Sequence, residues 1–100
     1  MAFSLSVKSK EDNRSASVVM TPGGLFSDST FSVAEPDHSG KPKIFATASG
    51  VFSVKARVAA LVNAQGKEVG YLYDYDEKNP QSGDGQINET GSSITWARNP

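Results

Sequence analysis

Apolar side chains recur in this chain at every second position, not at the 3.6-residue spacing of a helix, and that period limits the fold more than any other feature. Phe3, Leu5 and Val7 alternate with Ser4, Ser6 and Lys8. Ala16, Val18 and Met20 alternate with Ser17 and Val19; Phe31 and Val33 with Ser32 and Ala34; Ile44, Ala46 and Ala48 with Phe45 and Thr47. The longest run sets Phe52, Val54, Ala56, Val58, Ala60 and Val62 against Ser53, Lys55, Arg57, Ala59 and Leu61. Val69, Tyr71, Tyr73 and Tyr75 continue the rule, as do Ile94 and Trp96. Successive side chains of a strand point to opposite faces, so each run describes one dry and one wet face. A helix over 51–62 would scatter Lys55 and Arg57 among apolar neighbours, whereas a strand sorts them cleanly.

Turn-forming clusters separate the runs: Glu11-Asp12-Asn13, Thr21-Pro22-Gly23-Gly24, Glu35-Pro36-Asp37-His38-Ser39-Gly40 and Asn63-Ala64-Gln65-Gly66. The pattern predicts a single β domain over residues 1–100, with about seven mostly antiparallel strands in a small β-sandwich or a partly closed barrel. A single helical turn fits near 24–29. The segment 77–91 reads as one long polar loop, the main space for a dedicated site. The first strand starts close to the N-terminus and reads as an exposed edge open to strand addition. Small side chains at Ala46, Ala48, Ala56, Ala59 and Ala60 suggest closely approaching sheets.

One hairpin admits a finer reading. The turn Asn63-Ala64-Gln65-Gly66 allows two registers, one pairing Val62 with Glu68 and Arg57 with Tyr73, the other pairing Val62 with Lys67, Val58 with Tyr71 and Lys55 with Asp74. The first turns Asp74 into the core, where an unpaired carboxylate costs several kcal/mol. The second joins Lys55 to Asp74 across the strands, worth roughly 0.2–1 kcal/mol, and is the expected one. It places Tyr71, Tyr73 and Tyr75 on the core face with their hydroxyls at the rim. Trp96 shares the parity of Ile94 and is read as core. The alternative use of Tyr71, Tyr73, Tyr75 and Trp96 is a stacking platform for a ligand such as a sugar.

Catalytic constellations are scarce. The absence of cysteine excludes disulfides, thiolate metal sites and thiol nucleophiles. The one histidine, His38, lies in a turn and reads as an exposed loop residue. No Gly-x-Ser-x-Gly elbow or phosphate-cradling loop is present. Asp74, Asp76 and Glu77 end a strand, where acids simply solvate. The expectation is a protein that is not an enzyme. Ten basic and eleven acidic residues leave a net charge of −1 without a basic stripe, so nucleic acid is not an expected partner. The longest apolar run is Val58-Ala59-Ala60-Leu61-Val62, far short of the about 20 residues of a spanning helix. With no signal-peptide pattern at the N-terminus, the expectation is a soluble chain, cytoplasmic by default, with no membrane role.

Two segments bear on calcium. Asp84-Gly85-Gln86-Ile87-Asn88 is similar to the middle of an EF-hand loop, but Pro80 and Gly91 then fall on its first and last ligand positions. Asn88-Glu89-Thr90-Gly91-Ser92-Ser93, leading into Ile94-Thr95-Trp96, resembles the calcium motif of microbial βγ-crystallins, a family of Greek-key β-sandwiches. Glu89 stands where that motif has a second Asn or Asp, and its aromatic-then-glycine companion has only Ala59 ahead of Gly66. The resemblance implies Asn88, Glu89 and Ser92 as calcium ligands; no other cofactor is expected. The leading functional expectation is a non-catalytic module acting through its surface, with a protein partner or with itself as a homo-oligomer. The alternative is a binding module for carbohydrate or calcium.

Overall fold

A computed structural model describes residues 1–100. It contains eight strands: β1 (Phe3–Ser9), β2 (Ser15–Thr21), β3 (Thr30–Ala34), β4 (Ser49–Lys55), β5 (Val58–Val62), β6 (Glu68–Tyr73), β7 (Ser82–Ile87) and β8 (Ser92–Arg98). Each pairs antiparallel with the next, and β8 returns to β1, so the sheet is a closed up-and-down barrel. The all-β antiparallel class stands, with eight strands and full closure. The seam runs from Leu5 opposite Arg98 to Ser9 opposite Ile94. β1 therefore has a partner on both sides, and the free edge expected there does not exist.

Alternation decides what fills the barrel. Leu5 and Val7 of β1, Ala16, Val18 and Met20 of β2, Phe31 of β3, Phe52 of β4 and Ile94 and Trp96 of β8 all point inward and are buried. They belong to one cluster of 17 buried hydrophobic residues. An eight-stranded barrel has an interior just wide enough for side chains to fill. β7 shows how tightly this holds. A Cβ on Gly83 would lie 2.3 Å from the Tyr73 carbonyl oxygen and 2.9 Å from Trp96 Nε1, and one on Gly85 would lie 2.8 Å from Ile94 Cδ1. The two glycines make room for the indole and for Ile94, and the indole N–H donates to the Tyr73 carbonyl at 3.0 Å. This strand lies within the segment expected to be a polar loop. Two of its three inward positions are glycine, leaving Ile87 as the one apolar side chain, so it has no apolar alternation to read.

Three other expectations change. The run 51–62 is two strands, because the chain reverses at Ala56 and Arg57 with φ of 54° and 61°. Two consecutive left-handed residues make a two-residue hairpin of the I′ type. The reversal switches parity: Phe52 faces inward before it, Ala59 and Leu61 after it. Across the next hairpin Val62 lies opposite Glu68, the register not chosen from the sequence; an extra residue on β6 then shifts the pairing to Leu61 with Gly70 and Val58 with Tyr73. Val69 is that extra residue and turns inward (0% exposed). The expected Lys55–Asp74 pair does not form, since Lys55 lies opposite Val58 and Asp74 (φ 57°) has left the strand. This also removes the objection to the other register, because Asp74 never enters the core. The segment 44–48, expected as a strand, crosses a mouth of the barrel as loop, and 24–29 holds a single turn at 25–26 without a helix. Antiparallel order places segments 10–14, 35–48, 63–67 and 88–91 at one mouth and 22–29, 56–57 and 74–81 at the other.

The left-handed region costs non-glycine residues roughly 1–2 kcal/mol each. Replacing Ala56 and Arg57 by Asn and Gly is expected to stabilise the barrel by about 1 kcal/mol after the added freedom of glycine in the unfolded chain is subtracted. For a chain of this size that is a rise in melting temperature of about 4–8 °C, measured by thermal unfolding under circular dichroism. A lower melting temperature would contradict the hairpin assignment.

Candidate functional site

The first mouth is closed by the segment 35–48. Ile44 and Phe45 fill it, 0% and 3% exposed. Because this segment is not in the sheet, its backbone N–H groups need other acceptors. Glu35 accepts from the N–H of Ile44 at 2.5 Å and of Phe45 at 3.0 Å. Glu89, in the turn between β7 and β8, accepts from the N–H groups of Ala46 and Thr47 and from the Thr47 hydroxyl, at 2.9, 2.9 and 2.8 Å. The Thr90 hydroxyl donates to the Ile44 carbonyl at 2.6 Å, and Arg14 Nη1 to that of Pro42 at 3.0 Å. Arg14 is itself held by Asp12. The backbone N–H and guanidinium of Arg14 hold the Asp12 carboxyl below the usual carboxylate range. His38 is not an exposed loop residue: its side chain is 10% exposed and lies 2.9 Å from the Glu35 carboxylate.

These contacts occupy the residues implied as calcium ligands. Both Glu89 oxygens receive protein donors. The Asn88 amide donates to the Glu68 carbonyl at 3.0 Å. Ser92 is buried, its hydroxyl 3.0 Å from that of Thr90. Calcium requires 6–8 oxygens converging on one point, and no group of three His, Cys, Asp or Glu side chains is placed to hold a metal ion. The segment 88–93 is a clamp on the neighbouring loop.

The second mouth is closed by aromatic rings. Tyr75 turns inward beyond Asp74, its N–H bonded to the Arg57 carbonyl at 3.0 Å. Its ring is 2% exposed. It packs 5.4 Å from Trp96 and edge-on to Phe52 at 6.3 Å. Burial pushes the Tyr75 phenol up to about 12. Tyr71 and Tyr73 are outside, stacked at 6.4 Å and 13°. The Tyr71 hydroxyl donates to Glu68 at 2.7 Å, which raises its pKa. The four aromatics therefore form no common platform: two are core and two lie on the wall. The extra residue Val69 and the departure of the chain at Asp74 separate them.

With the interior filled, the outer wall and the loops carry the accessible chemistry. The charged strand residues are Lys8, Lys55, Glu68, Asp84 and Arg98. From β2 through β5 only Lys55 is charged, at the end of β4; the outward positions between are Ser, Thr, Val and Ala. A groove of about 470 Å³ opens there, lined by Thr21, Thr30, Ser49, Gly50, Val51 and Ala64, with Phe31 at its floor. Beside it the loop 22–29 raises Leu25 and Phe26, 89% and 96% exposed. The loop is internally tied. The Gly23 N–H donates to Ser29 Oγ at 3.0 Å, the Gly24 N–H to Ser27 Oγ at 2.8 Å, and the Phe52 N–H to the Ser29 carbonyl at 2.9 Å. A Cβ on Gly23 would lie 2.1 Å from the Ser27 carbonyl oxygen, so only glycine lets the loop close this tightly. Sequence reading missed this tip. Its signal was two adjacent large apolar residues between Pro-Gly-Gly and Ser-Asp-Ser.

Two outcomes follow from the mouths. Replacing Glu89 with Ala leaves the Ala46 and Thr47 N–H groups without their acceptor and is expected to cost about 1.5–3 kcal/mol. Amide hydrogen exchange at Ala46 and Thr47 is expected to accelerate more than in the strands; uniform acceleration would mean that Glu89 is no local clamp. For Tyr75, the unfolded phenol ionises near 10 and the folded one only near 12. The raised value stabilises the fold below pH 10, and that contribution is lost as pH rises toward 12. In alkaline titrations followed by circular dichroism, the unfolding midpoint of Tyr75→Phe is expected to lie above that of the wild type, and a lower one would contradict this.

No protein-family model matches the chain, and no curated protein or solved structure matches it.

Proposed function

We propose that the protein is a non-catalytic module that works through its outer surface, by association with another protein chain or with copies of itself. The observation that carries this reading is the Leu25 and Phe26 tip, almost fully exposed on a tied loop beside an uncharged wall. Exposed apolar side chains grouped together mark interaction sites. Charge depletion at the centre with aromatic anchors is the compositional mark of protein interfaces. The filled barrel supports the same reading, because small-molecule sites need a concave apolar pocket that buries most of the ligand. The best catalytic candidate, His38, is packed against Glu35, whose carboxylate already accepts two backbone N–H bonds. The near balance of charge, without a basic face, favours a protein over a nucleic acid as partner.

A second reading, carbohydrate binding, has one observation in its favour. The stacked outward rings of Tyr71 and Tyr73 are suited to a sugar face.

The test compares the wild type with Val19→Glu/Val58→Glu, which charges the β2–β5 wall, and with Thr95→Glu on β8. Self-association is read by light scattering and partner capture by immobilised chain. The expected outcome is association that the double variant loses and Thr95→Glu keeps. A monomer whose wild-type form retains no more protein than the double variant would sink the proposal. Retention of a glycan by the wild type but not by Tyr73→Ala would replace it with the second reading.

A further inference from the structure

We infer that the partner of this wall is a second copy of the chain, with the Leu25 and Phe26 tip of each copy seated in the groove between β3 and β4 of the other. The inference rests on the reading above, that the protein acts through its uncharged wall, and adds the occupant and the contact.

Tip and groove lie side by side on one molecule. The loop leaves the wall at Thr21 and returns at Thr30, and both residues line the groove. A two-fold axis between the two features therefore makes both contacts in one step, each copy giving a tip and receiving one. This is the self-complementary arrangement that a closed dimer requires. The groove has a volume of about 470 Å³ and is open to solvent along one side. The residues that line it are uncharged. It suits a phenyl ring with a neighbouring isobutyl group. The chain does not fill this groove with its own tip: hydrogen bonds from Gly23 and Gly24 to Ser29 and Ser27 hold the loop closed, and Leu25 and Phe26 stay in solvent.

Electrostatics favours a second copy. Placing a surface against itself across a two-fold axis brings charges of one sign near their own kind. Among the strand residues of β2–β5 only Lys55 is charged, with Asp28 in the tip loop and Arg57 in the β4–β5 turn beside them, so that repulsion is small on this wall. A standard interface takes roughly 800 Å² from each partner, about one seventh of the 5903 Å² surface of this chain. Since the closed barrel has no strand edge to lend, association goes through side chains. A tip that is already tied in place loses little freedom on docking.

The experiment is light scattering with sedimentation equilibrium on the full chain over a concentration series. The wild type is expected at twice 10.6 kDa, dissociating on dilution. Phe26→Asp removes the tip and Ser49→Arg obstructs the groove. Both positions are exposed, so thermal unfolding of the isolated variants monitors the fold. Each variant is expected to weaken the dimer roughly tenfold or more, as loss of an interface anchor does. Mixing the two variants restores one intact tip-and-groove contact per pair, so the mixture is expected to associate more than either variant alone. A wild type that stays monomeric at every concentration overturns the inference together with the self-association form of the reading it rests on. A dimer that survives Phe26→Asp but is split by Val58→Glu overturns the tip-and-groove contact and leaves the wall as the interface.

Discussion

The pairing of β8 with β1 is the constraint on which the rest of the molecule depends. Closure at eight strands leaves an interior of fixed width, and every inward residue must share it. Trp96 is the largest side chain there, and its neighbours on β7 are reduced to glycine to admit it. Ala16 and Ala59, both buried, are the small inward residues that offset larger ones such as Phe31 and Met20. A larger residue at either glycine would have to move the Tyr73 or Tyr71 backbone, and with it the pairing of β6 and β7. Core composition and strand pairing are one problem in this barrel, because neither can be altered while the other stays in place.

A barrel closed at its sides is still open at its ends, and the two mouths are sealed by different chemistry. Aromatic packing of Tyr75 on Trp96 and Phe52 closes one with little polar cost. At the other, Ile44 and Phe45 bring irregular backbone over the core, and irregular backbone carries unpaired N–H groups. Glu35 and Glu89 answer that need, each accepting from two consecutive N–H groups. Hydrogen bonds to an ionised acceptor are stronger than neutral ones. This explains how the Glu35 side chain can be 3% exposed with His38 as its one ionisable partner. The same geometry accounts for the calcium-like residues 88–93: a carboxylate at Glu89 followed by hydroxyls at Thr90 and Ser92 supplies oxygen-rich chemistry, spent here on loop backbone.

Strands β1, β2, β3 and β8 were legible in the sequence because their inward positions are apolar at every second residue, even where an outward one such as Val19 is apolar too. The middle of the chain was not. Ala56 and Arg57 make a two-residue reversal without the glycine or asparagine that announces one, and even-numbered apolar residues continue on both sides of it. In sequence the pattern runs on; in space it has changed face. One more residue, Val69, reverses parity again on β6, which is why Tyr71 and Tyr73 point out while Tyr75 points in. β7 was illegible for the opposite reason, since its inward glycines record the size of Trp96 on another strand. Periodicity reports a residue's own strand. Turns without marker residues, bulges and glycines set by a neighbour report the partner strand, and a single sequence does not say which strand that is. The candidate site was less legible than the fold. Of the expected ligand residues, Tyr75 and Trp96 lie in the core and Asn88, Glu89 and Ser92 in a clamp, Tyr71 and Tyr73 stay together on the wall, and the exposed Leu25 and Phe26 tip follows a turn-forming cluster with no alternation to announce it.

Closure also bears on how so plain a wall can face water. Open sheets protect their edges with charged residues, because unpaired N–H and C=O groups recruit other strands. A closed barrel has no such groups along its sides, so charge on the wall is released from that duty. Most charged residues of this chain accordingly lie in loops, and the near-neutral total does not arise from cross-strand pairing. The ion pair that reaches a strand, Lys10 with Asp84 at 3.0 Å, is largely exposed and contributes little. Freed from charge, the Ser, Thr, Val and Ala positions of β2–β5 admit close approach by another surface at low desolvation cost. On this face relief is supplied by one raised loop and one groove, and Gly23 lets the loop close under its tip.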